Sequence, residues 1–204
     1  MKEDLPLLAV DTAYSGFSVA LWREGDVLEM REGKAFRHVE NLNLRISHLL
    51  ERGGVRIREV GALLITIGPG YFTSLRVAAS FVKAVHLLTG IPMYGFNTLQ
   101  AMVVGMGDGL YVATMDARKG QVYAQSFRVE GGIPVEDGRV PLGIYDPHTL
   151  PLEGYSLISS PEEYLRASNL FPLYFAGLGT PLSPGFSPVY LRPPDAVINR
   201  RKAP

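Results

Sequence analysis

The sequence contains no cysteine among its 204 residues. Disulfide bridges, thiolate nucleophiles and zinc–thiolate sites are therefore excluded, and the composition fits a reducing compartment. Basic and acidic residues balance at 20 each, so binding of nucleic acid through bulk charge is not expected. No uncharged apolar run approaches the ~20 residues of a membrane span, and the first residues lack a signal-peptide pattern. We therefore expect a cytoplasmic protein without membrane contact.

Motifs of several enzyme classes are missing as well. The sequence has only four histidines, without an HExxH or HxxxH pattern, and it has neither a GxxxxGK P-loop nor a GxSxG nucleophile elbow. His38 and His48 lie on one predicted helix, about 15 Å apart along its axis, too far to share a metal. We predict no metal site and no catalytic residue, which argues against a metallopeptidase.

The first hundred residues alternate between strand and helix patterns. Short apolar or alternating runs predict strands, and stripes at spacings of three and four predict helices. The predicted elements are strands at 5–10, 17–22, 27–31, 62–67 and 93–96, and helices at 38–51 and 74–89, with a third helix beginning at Asn97. A hairpin turn is predicted at residues 24–26.

The second half opens like the first and then changes character. A strand at 111–115 ends in Asp116, as the first strand ends in Asp11, and an alternating segment covers 122–129. Twelve of the fifteen prolines lie from Pro134 onward, so short strands and loops are expected there, with one helix at residues 160–169. We place the boundary between the halves near residue 100.

Three segments carry residues suited to chemistry, and each has a structural alternative. Asp11-Thr12 and Asp116 can hold a phosphate or its magnesium, or can stabilise turns. The Gly68-Pro69-Gly70 segment leads from a strand into a helix N-terminus, a place suited to anions. It can equally be a glycine turn with Thr73 as the helix cap.

The helix at 74–89 is apolar or small over most of its circumference. Such a helix lies deep in a core or takes part in an interface. In the helix at 38–51, Leu42 and Leu49 belong to one apolar stripe, whereas Leu44 lies off that stripe.

Several motifs together resemble one family. The most specific is residues 68–76, Gly-Pro-Gly-Tyr-Phe-Thr-Ser-Leu-Arg, which is similar to the GPGSFTGLR signature of the TsaB (YeaZ) family. Further matches occur in order along nearly the whole chain: residues 8–12 with 17–21, 38–42, 95–99, 116–123 and 188–192.

The resemblance implies an α/β fold of two ribonuclease-H-like domains of the actin/Hsp70 type, with mixed sheets and flanking helices. Residues 1–100 would form the larger domain, and residues 101–204 a smaller, proline-rich one. The family is expected to be a non-catalytic relative of TsaD that binds and activates TsaD, together with the ATPase TsaE. The expected product is N6-threonylcarbamoyladenosine at position 37 of certain tRNAs, with only indirect contact to tRNA.

The resemblance also implies where partners bind. The two helices of the first half would form a bundle with TsaD, or with a second copy in a homodimer. We therefore predict an interface at Leu42, Leu44, Leu49, Val77, Phe81 and Leu88. The alternative is an ATP-binding or ATP-hydrolysing enzyme, with ATP or ADP and magnesium in a cleft at Asp11, Thr12 and Asp116. Tyr71 stands where the family usually has serine, which predicts that its ring fills space a nucleotide would use.

Overall fold

The computed structural model describes residues 5–33 and 38–192, without the side chains of residues 38–40. The predictions made for the first four residues and for the side chain of His38 lie outside the described part. Within that part, no helix is both long and apolar enough to cross a membrane.

The first sheet has six strands: β1 Leu7–Asp11, β2 Phe17–Arg23, β3 Asp26–Glu32, β4 Ala62–Gly68, β5 Met93–Asn97 and β11 Thr180–Leu182. Their spatial order is β11–β5–β4–β1–β2–β3. The first three strands form the predicted antiparallel meander, and β4 and β5 run parallel to β1. Glu24 and Gly25 have φ of 54° and 95°, as the tight turn between β2 and β3 requires.

The second sheet has five strands: β6 Gly109–Asp116, β7 Val122–Glu130, β8 Ile133–Glu136, β9 Gly143–Tyr145 and β10 Ser156–Ile158. Four of them follow the order β10–β6–β7–β8, and β9 pairs with β7. Here too the first strand lies between an antiparallel neighbour and a parallel one. The two sheets therefore share a local arrangement in which the first strand ends in an aspartate.

The helices are α1 His38–Arg52, α2 Phe72–Thr89, α3 Thr98–Val103, α4 Pro161–Tyr164 and α5 Leu170–Phe175, with 3-10 turns at Ile57–Glu59, Pro147–Thr149 and Ala167–Asn169. Asn97 caps α3, since its side chain accepts hydrogen bonds from the N–H groups of Leu99 and Gln100. The prediction of one helix over 160–169 is wrong. The chain is extended at Leu165 and Arg166, because the N–H of Ala167 instead donates to Ser18 Oγ at 2.7 Å.

Both faces of the first sheet are covered, which explains the uninterrupted apolar runs of β1 and β4. Alternate residues of β1 point to opposite sides: Leu8 and Val10 pack with α1 and α2, and Leu7 and Ala9 pack toward α3, α5 and the second sheet. The core is thus divided by the first sheet into two layers.

Two of the predicted interface residues are buried on the inner side of α1. Leu42 is 1% exposed and Leu49 is 0% exposed. Both pack with Ile46 against the first sheet, because they belong to the apolar stripe of α1. They stabilise the fold and have almost no exposed surface of their own.

Candidate functional site

Asp11 lies at the carboxyl end of β1 and is almost fully buried. Its Oδ1 accepts a hydrogen bond from Thr66 Oγ1 at 2.6 Å and another from the N–H of Ala13 at 3.2 Å. Burial raises the pKa of this carboxyl to about 6, although the two hydrogen bonds act in the opposite direction. The carboxylate contributes to a cleft of about 390 Å³ between the β1–β2 hairpin, β3 and the start of α4, here called the Asp11 cleft.

Thr12 is fully buried. Its hydroxyl donates to the carbonyl oxygen of Ser74 at 2.6 Å and so joins the end of β1 to the first turn of α2. The hydroxyl proton is used in this hydrogen bond within the fold. This explains why a small hydroxyl residue follows Asp11.

The Gly68–Gly70 segment approaches its neighbours too closely for side chains. A Cβ on Gly68, whose φ is 121°, would lie 2.6 Å from the carbonyl oxygen of Val189, and one on Gly70 would lie 2.4 Å from that of Ala13. Helix α2 then begins at Phe72, with Tyr71 as its N-cap residue and no side-chain cap. The alternative of Thr73 as helix cap is therefore wrong, whereas the glycine turn is present.

Asp116 ends β6 and is exposed. Its Oδ1 accepts a hydrogen bond from the N–H of Arg118 at 2.7 Å, which shapes the turn into β7. The carboxylate lines a cleft of about 330 Å³, here called the Asp116 cleft, between the start of α2, the β6–β7 turn and residues 189–192. Arg192 forms part of this wall, and its guanidinium donates to the carbonyl oxygen of Arg118 at 3.3 Å and to the Gln121 side chain.

Asp11 and Asp116 therefore line two different clefts. Tyr14 belongs to the first and Tyr71 to the second, and their rings lie against each other with centroids 5.0 Å apart. The guanidinium of Arg118 lies 5.5 Å from the Tyr71 ring centroid. Burial, with hydrogen bonding to Tyr71 and Glu162, raises the pKa of Tyr14, so its hydroxyl stays neutral. Tyr71 is thus part of the wall of the Asp116 cleft.

The third feature is a groove between α1 and α2 of about 550 Å³, here called the α1/α2 groove. Val77 and Phe81, two of the predicted interface residues, are half-buried on its wall. Leu44 on α1 is 52% exposed, and Leu88 at the end of α2 is 77% exposed. These four of the six predicted interface residues have accessible surface.

Sequence reasoning missed other residues on the outward side of α2. Leu87 is 83% exposed, and the groove is also lined by Phe72, Thr73, Arg76, Ser80 and Ala84. Positions 73, 77, 80, 84 and 87 follow a spacing of three and four, which is one face of a helix. The sequence pattern alone does not separate this stripe of small, polar and apolar residues from its neighbour, because the buried stripe beside it on α2 also consists of small and apolar residues.

No group of three or more histidine, aspartate and glutamate side chains able to hold a metal ion occurs among the described residues. His86 Nδ1 lies 2.8 Å from the carbonyl oxygen of Ile91 at the end of α2. This histidine is thus engaged within the fold.

Comparisons with known proteins agree with the motifs. The model of the family described as TsaD, tRNA N6-adenosine threonylcarbamoyltransferase, matches residues 32–134, about half of the chain. The TsaB protein of Escherichia coli K12 is 34% identical over 132 residues, which are 62% of this chain and 57% of that protein. Haemophilus influenzae TsaB is 30% identical over 125 residues, 59% of this chain and 53% of that protein. The matches thus span little more than half the length of these relatives.

Among solved structures, a Pseudomonas aeruginosa protein described as similar to the peptidase YEAZ superimposes with a TM-score of 0.80 and 25% identity. The superposition covers 92% of this chain and 100% of that one. The two mixed sheets with flanking helices are therefore a YeaZ-like fold. Taken with the family model and the relatives, this shows that the chain belongs to the TsaB/YeaZ family.

Proposed function

We propose that the chain is a non-catalytic partner subunit that binds and activates a TsaD-like protein, together with a TsaE-like ATPase. The proposed pathway is formation of N6-threonylcarbamoyladenosine at position 37 of tRNA, in the cytoplasm and with only indirect contact to tRNA. The TsaB relatives are described as tRNA threonylcarbamoyladenosine biosynthesis proteins, which supports this pathway.

The observation that carries the proposal is the outward face of α1 and α2. The α1/α2 groove is mostly apolar. Beyond it on α2 lie Leu87 and Leu88, which are each more than three-quarters exposed. Apolar surface concentrated in one place marks an interaction site on a protein surface. A homodimer through the same helices is the competing use of this face.

We further infer two ribonuclease-H-like domains of the actin/Hsp70 type, divided near residue 100. The repeated strand arrangement of the two sheets supports this division. Residues 180–192 follow the second sheet in sequence but return to the first domain. There β11 pairs with β5, and the N–H of Val189 donates to the carbonyl oxygen of Ile67 at 2.7 Å.

A non-catalytic role is preferred over ATP hydrolysis for a geometric reason. A nucleotide held by Asp11, Thr12 and Asp116 would need these groups to face one cleft. Thr12 is instead buried against α2, and the two aspartates line separate clefts beside the Tyr14–Tyr71 pair. The contact between the two tilted rings supports the expectation that Tyr71 occupies nucleotide space.

The test is co-purification of the chain with the TsaD-like protein of the same organism. Leu44→Asp should reduce the amount of complex at least about tenfold, because it places a charge in an apolar contact. Val135→Asp is the matched control, since Val135 is also 52% exposed but lies on β8 of the second sheet. Circular dichroism should show both variants folded. Equal recovery of complex with both variants, or no complex with the unaltered chain, would contradict the proposal.

A further inference from the structure

The first turn of α2 has hydrogen-bond donors without partners. Among the described residues, no group accepts from the N–H of Phe72, Thr73 or Ser74, and no side chain caps the helix. Helix α2 is 18 residues long, and the partial positive charge at the N-terminus of such a helix attracts anions. Its first turn forms part of the wall of the Asp116 cleft, so an anion in this cleft lies within the field of the helix.

Two buried hydroxyl groups of the same wall also have no partner. Ser74 is 7% exposed and Tyr123 is 8% exposed, and both side chains line the Asp116 cleft. Neither hydroxyl makes a hydrogen bond to a described residue. Since buried polar groups in proteins are normally paired with the fold, with water or with a ligand, these two hydroxyls indicate a site for a bound molecule.

Ser74 is a departure from the family signature. GPGSFTGLR has glycine at the corresponding position, and glycine supplies no hydroxyl. The carbonyl oxygen of Ser74 accepts a hydrogen bond from Thr12, so the backbone of this residue stabilises the fold, whereas its side chain is available to a ligand. The additional donor is therefore not part of the family signature.

The cleft has charges of both signs. Arg118, Arg192 and Asp116 are the charged residues of its described lining, and within that lining no ion pair joins Asp116 to either arginine. Burial raises the pKa of Tyr123, the two guanidinium groups act against this shift, and the Asp116 carboxylate adds to it. All three charges thus lie around the Tyr123 hydroxyl. Fixed charges of both signs complement a ligand that carries both.

We propose that the Asp116 cleft binds a small free α-amino acid. The carboxylate of the ligand accepts hydrogen bonds from the first turn of α2 and from the hydroxyls of Ser74 and Tyr123, and Arg192 offsets its negative charge. The ammonium group lies at Asp116. The cleft of about 330 Å³ is large enough for such a molecule. A phosphate dianion is disfavoured, because the Asp116 carboxylate lines the same cleft and like charges repel.

Calorimetric titration of the purified chain tests the ligand class. The probes are the water-soluble protein amino acids, each added singly at millimolar concentration, and we expect at least one of them to bind with one-to-one stoichiometry. Propionate has the carboxylate but no ammonium group, and inorganic phosphate is an anion of the disfavoured kind. Both should bind at least about tenfold more weakly than that amino acid, because each lacks the charge-assisted contact with Asp116.

Substitutions in the wall test the location. Ser74→Ala and Tyr123→Phe each remove one hydroxyl and should weaken amino-acid binding about three- to tenfold. Ser156→Ala, at an exposed position of β10, is the matched control and should leave binding unchanged. Thermal melts should show all three variants folded.

The contact with the ammonium group has its own test. Asp116→Asn keeps an oxygen that can accept from the N–H of Arg118, but it removes the negative charge. It should weaken amino-acid binding at least about tenfold and leave propionate binding no weaker than before. Asp26→Asn removes the same charge at an exposed position of β3 and should change neither.

Three results would overturn the proposal. The first is that none of the amino acids binds. The second is that propionate or inorganic phosphate binds as well as the best amino acid, which would make the cleft a general anion site. The third is that Ser74→Ala, Tyr123→Phe and Asp116→Asn all bind normally, which would place the ligand elsewhere. The co-purification test with Leu44→Asp is independent of these results, because Leu44 lies on α1, outside this cleft.

Discussion

Replacement of Asp11 by asparagine should stabilise the protein at neutral pH. Thr66 Oγ1 and the N–H of Ala13 both donate to the same oxygen of Asp11, Oδ1. The amide oxygen of an asparagine in the same rotamer can accept both hydrogen bonds. The substitution therefore removes a buried negative charge and keeps the contacts that hold the side chain.

The magnitude follows from the pKa of the carboxyl. Burial raises it from 3.8 to about 6, and each unit of pKa difference corresponds to about 1.4 kcal/mol. A folded-state pKa above the unfolded one means that the folded protein binds more protons between pH 4 and 6. The free energy of unfolding contributed by Asp11 is then fully present below pH 4, falls as the pH rises, and is lowest above pH 6. The full difference is about 3 kcal/mol.

Urea unfolding at several pH values between 4 and 7.5 measures this effect. Asp11→Asn should be more stable than the unaltered chain at pH 7.5 by up to about 3 kcal/mol, and the difference should disappear near pH 4. Asp26→Asn removes the same charge from an exposed site at the start of β3 and should change stability by less than about 0.5 kcal/mol. A loss of stability in Asp11→Asn at pH 7.5, or a difference independent of pH, would refute the reasoning.

Two further predictions concern packing. Leu49→Ala should lower the free energy of unfolding by about 2–5 kcal/mol, because Leu49 lies on the buried side of α1 and its truncation leaves a cavity. Leu88→Ala at the exposed end of α2 should change the free energy of unfolding by less than about 0.5 kcal/mol. Chemical denaturation of both variants decides this, and equal losses would contradict the assignment of core and surface. Gly68→Ala should lower the stability by at least about 1–3 kcal/mol from the positive φ alone, and the new Cβ would also clash with the Val189 carbonyl oxygen. Gly107→Ala, at a glycine with open space around it, should be tolerated. Thermal melts compare the two variants, and an unchanged stability of Gly68→Ala would show that the close contact between Gly68 and Val189 is not a constraint.

Much of the fold could be predicted because its signals are local. The apolar run of β1, the turn at Glu24 and the stripe of α1 each depend on residues within one element, and these elements occur where they were expected. The helix predicted over 160–169 failed because Ser18, distant in sequence, captures the N–H of Ala167, and Ser168 turns to Glu29. Hydrogen bonds to residues far away in the sequence cannot be predicted from a local sequence pattern.

The candidate site was predicted less well for a similar reason. Asp11 and Asp116 do end corresponding strands, as their spacing indicated. Whether they share a cleft depends on how the rings of Tyr14 and Tyr71 meet, which is a contact between residues 57 positions apart. Exposure on a helix is also relative: Leu42 and Leu44 differ in burial only because the first sheet fixes which side of α1 faces inward.

The return of the chain to the first sheet has a consequence for biosynthesis. β11 pairs with β5, and Lys83 on α2 donates to the carbonyl oxygen of Phe186 at 2.6 Å across 103 positions of sequence. While the ribosome is still making the second sheet, the earlier sheet has an open edge at β5 and its second helix lacks this contact. Nascent chains stopped before residue 180 should therefore stay sensitive to proteases at these places, and protection should arrive only once residues 180–186 have been made.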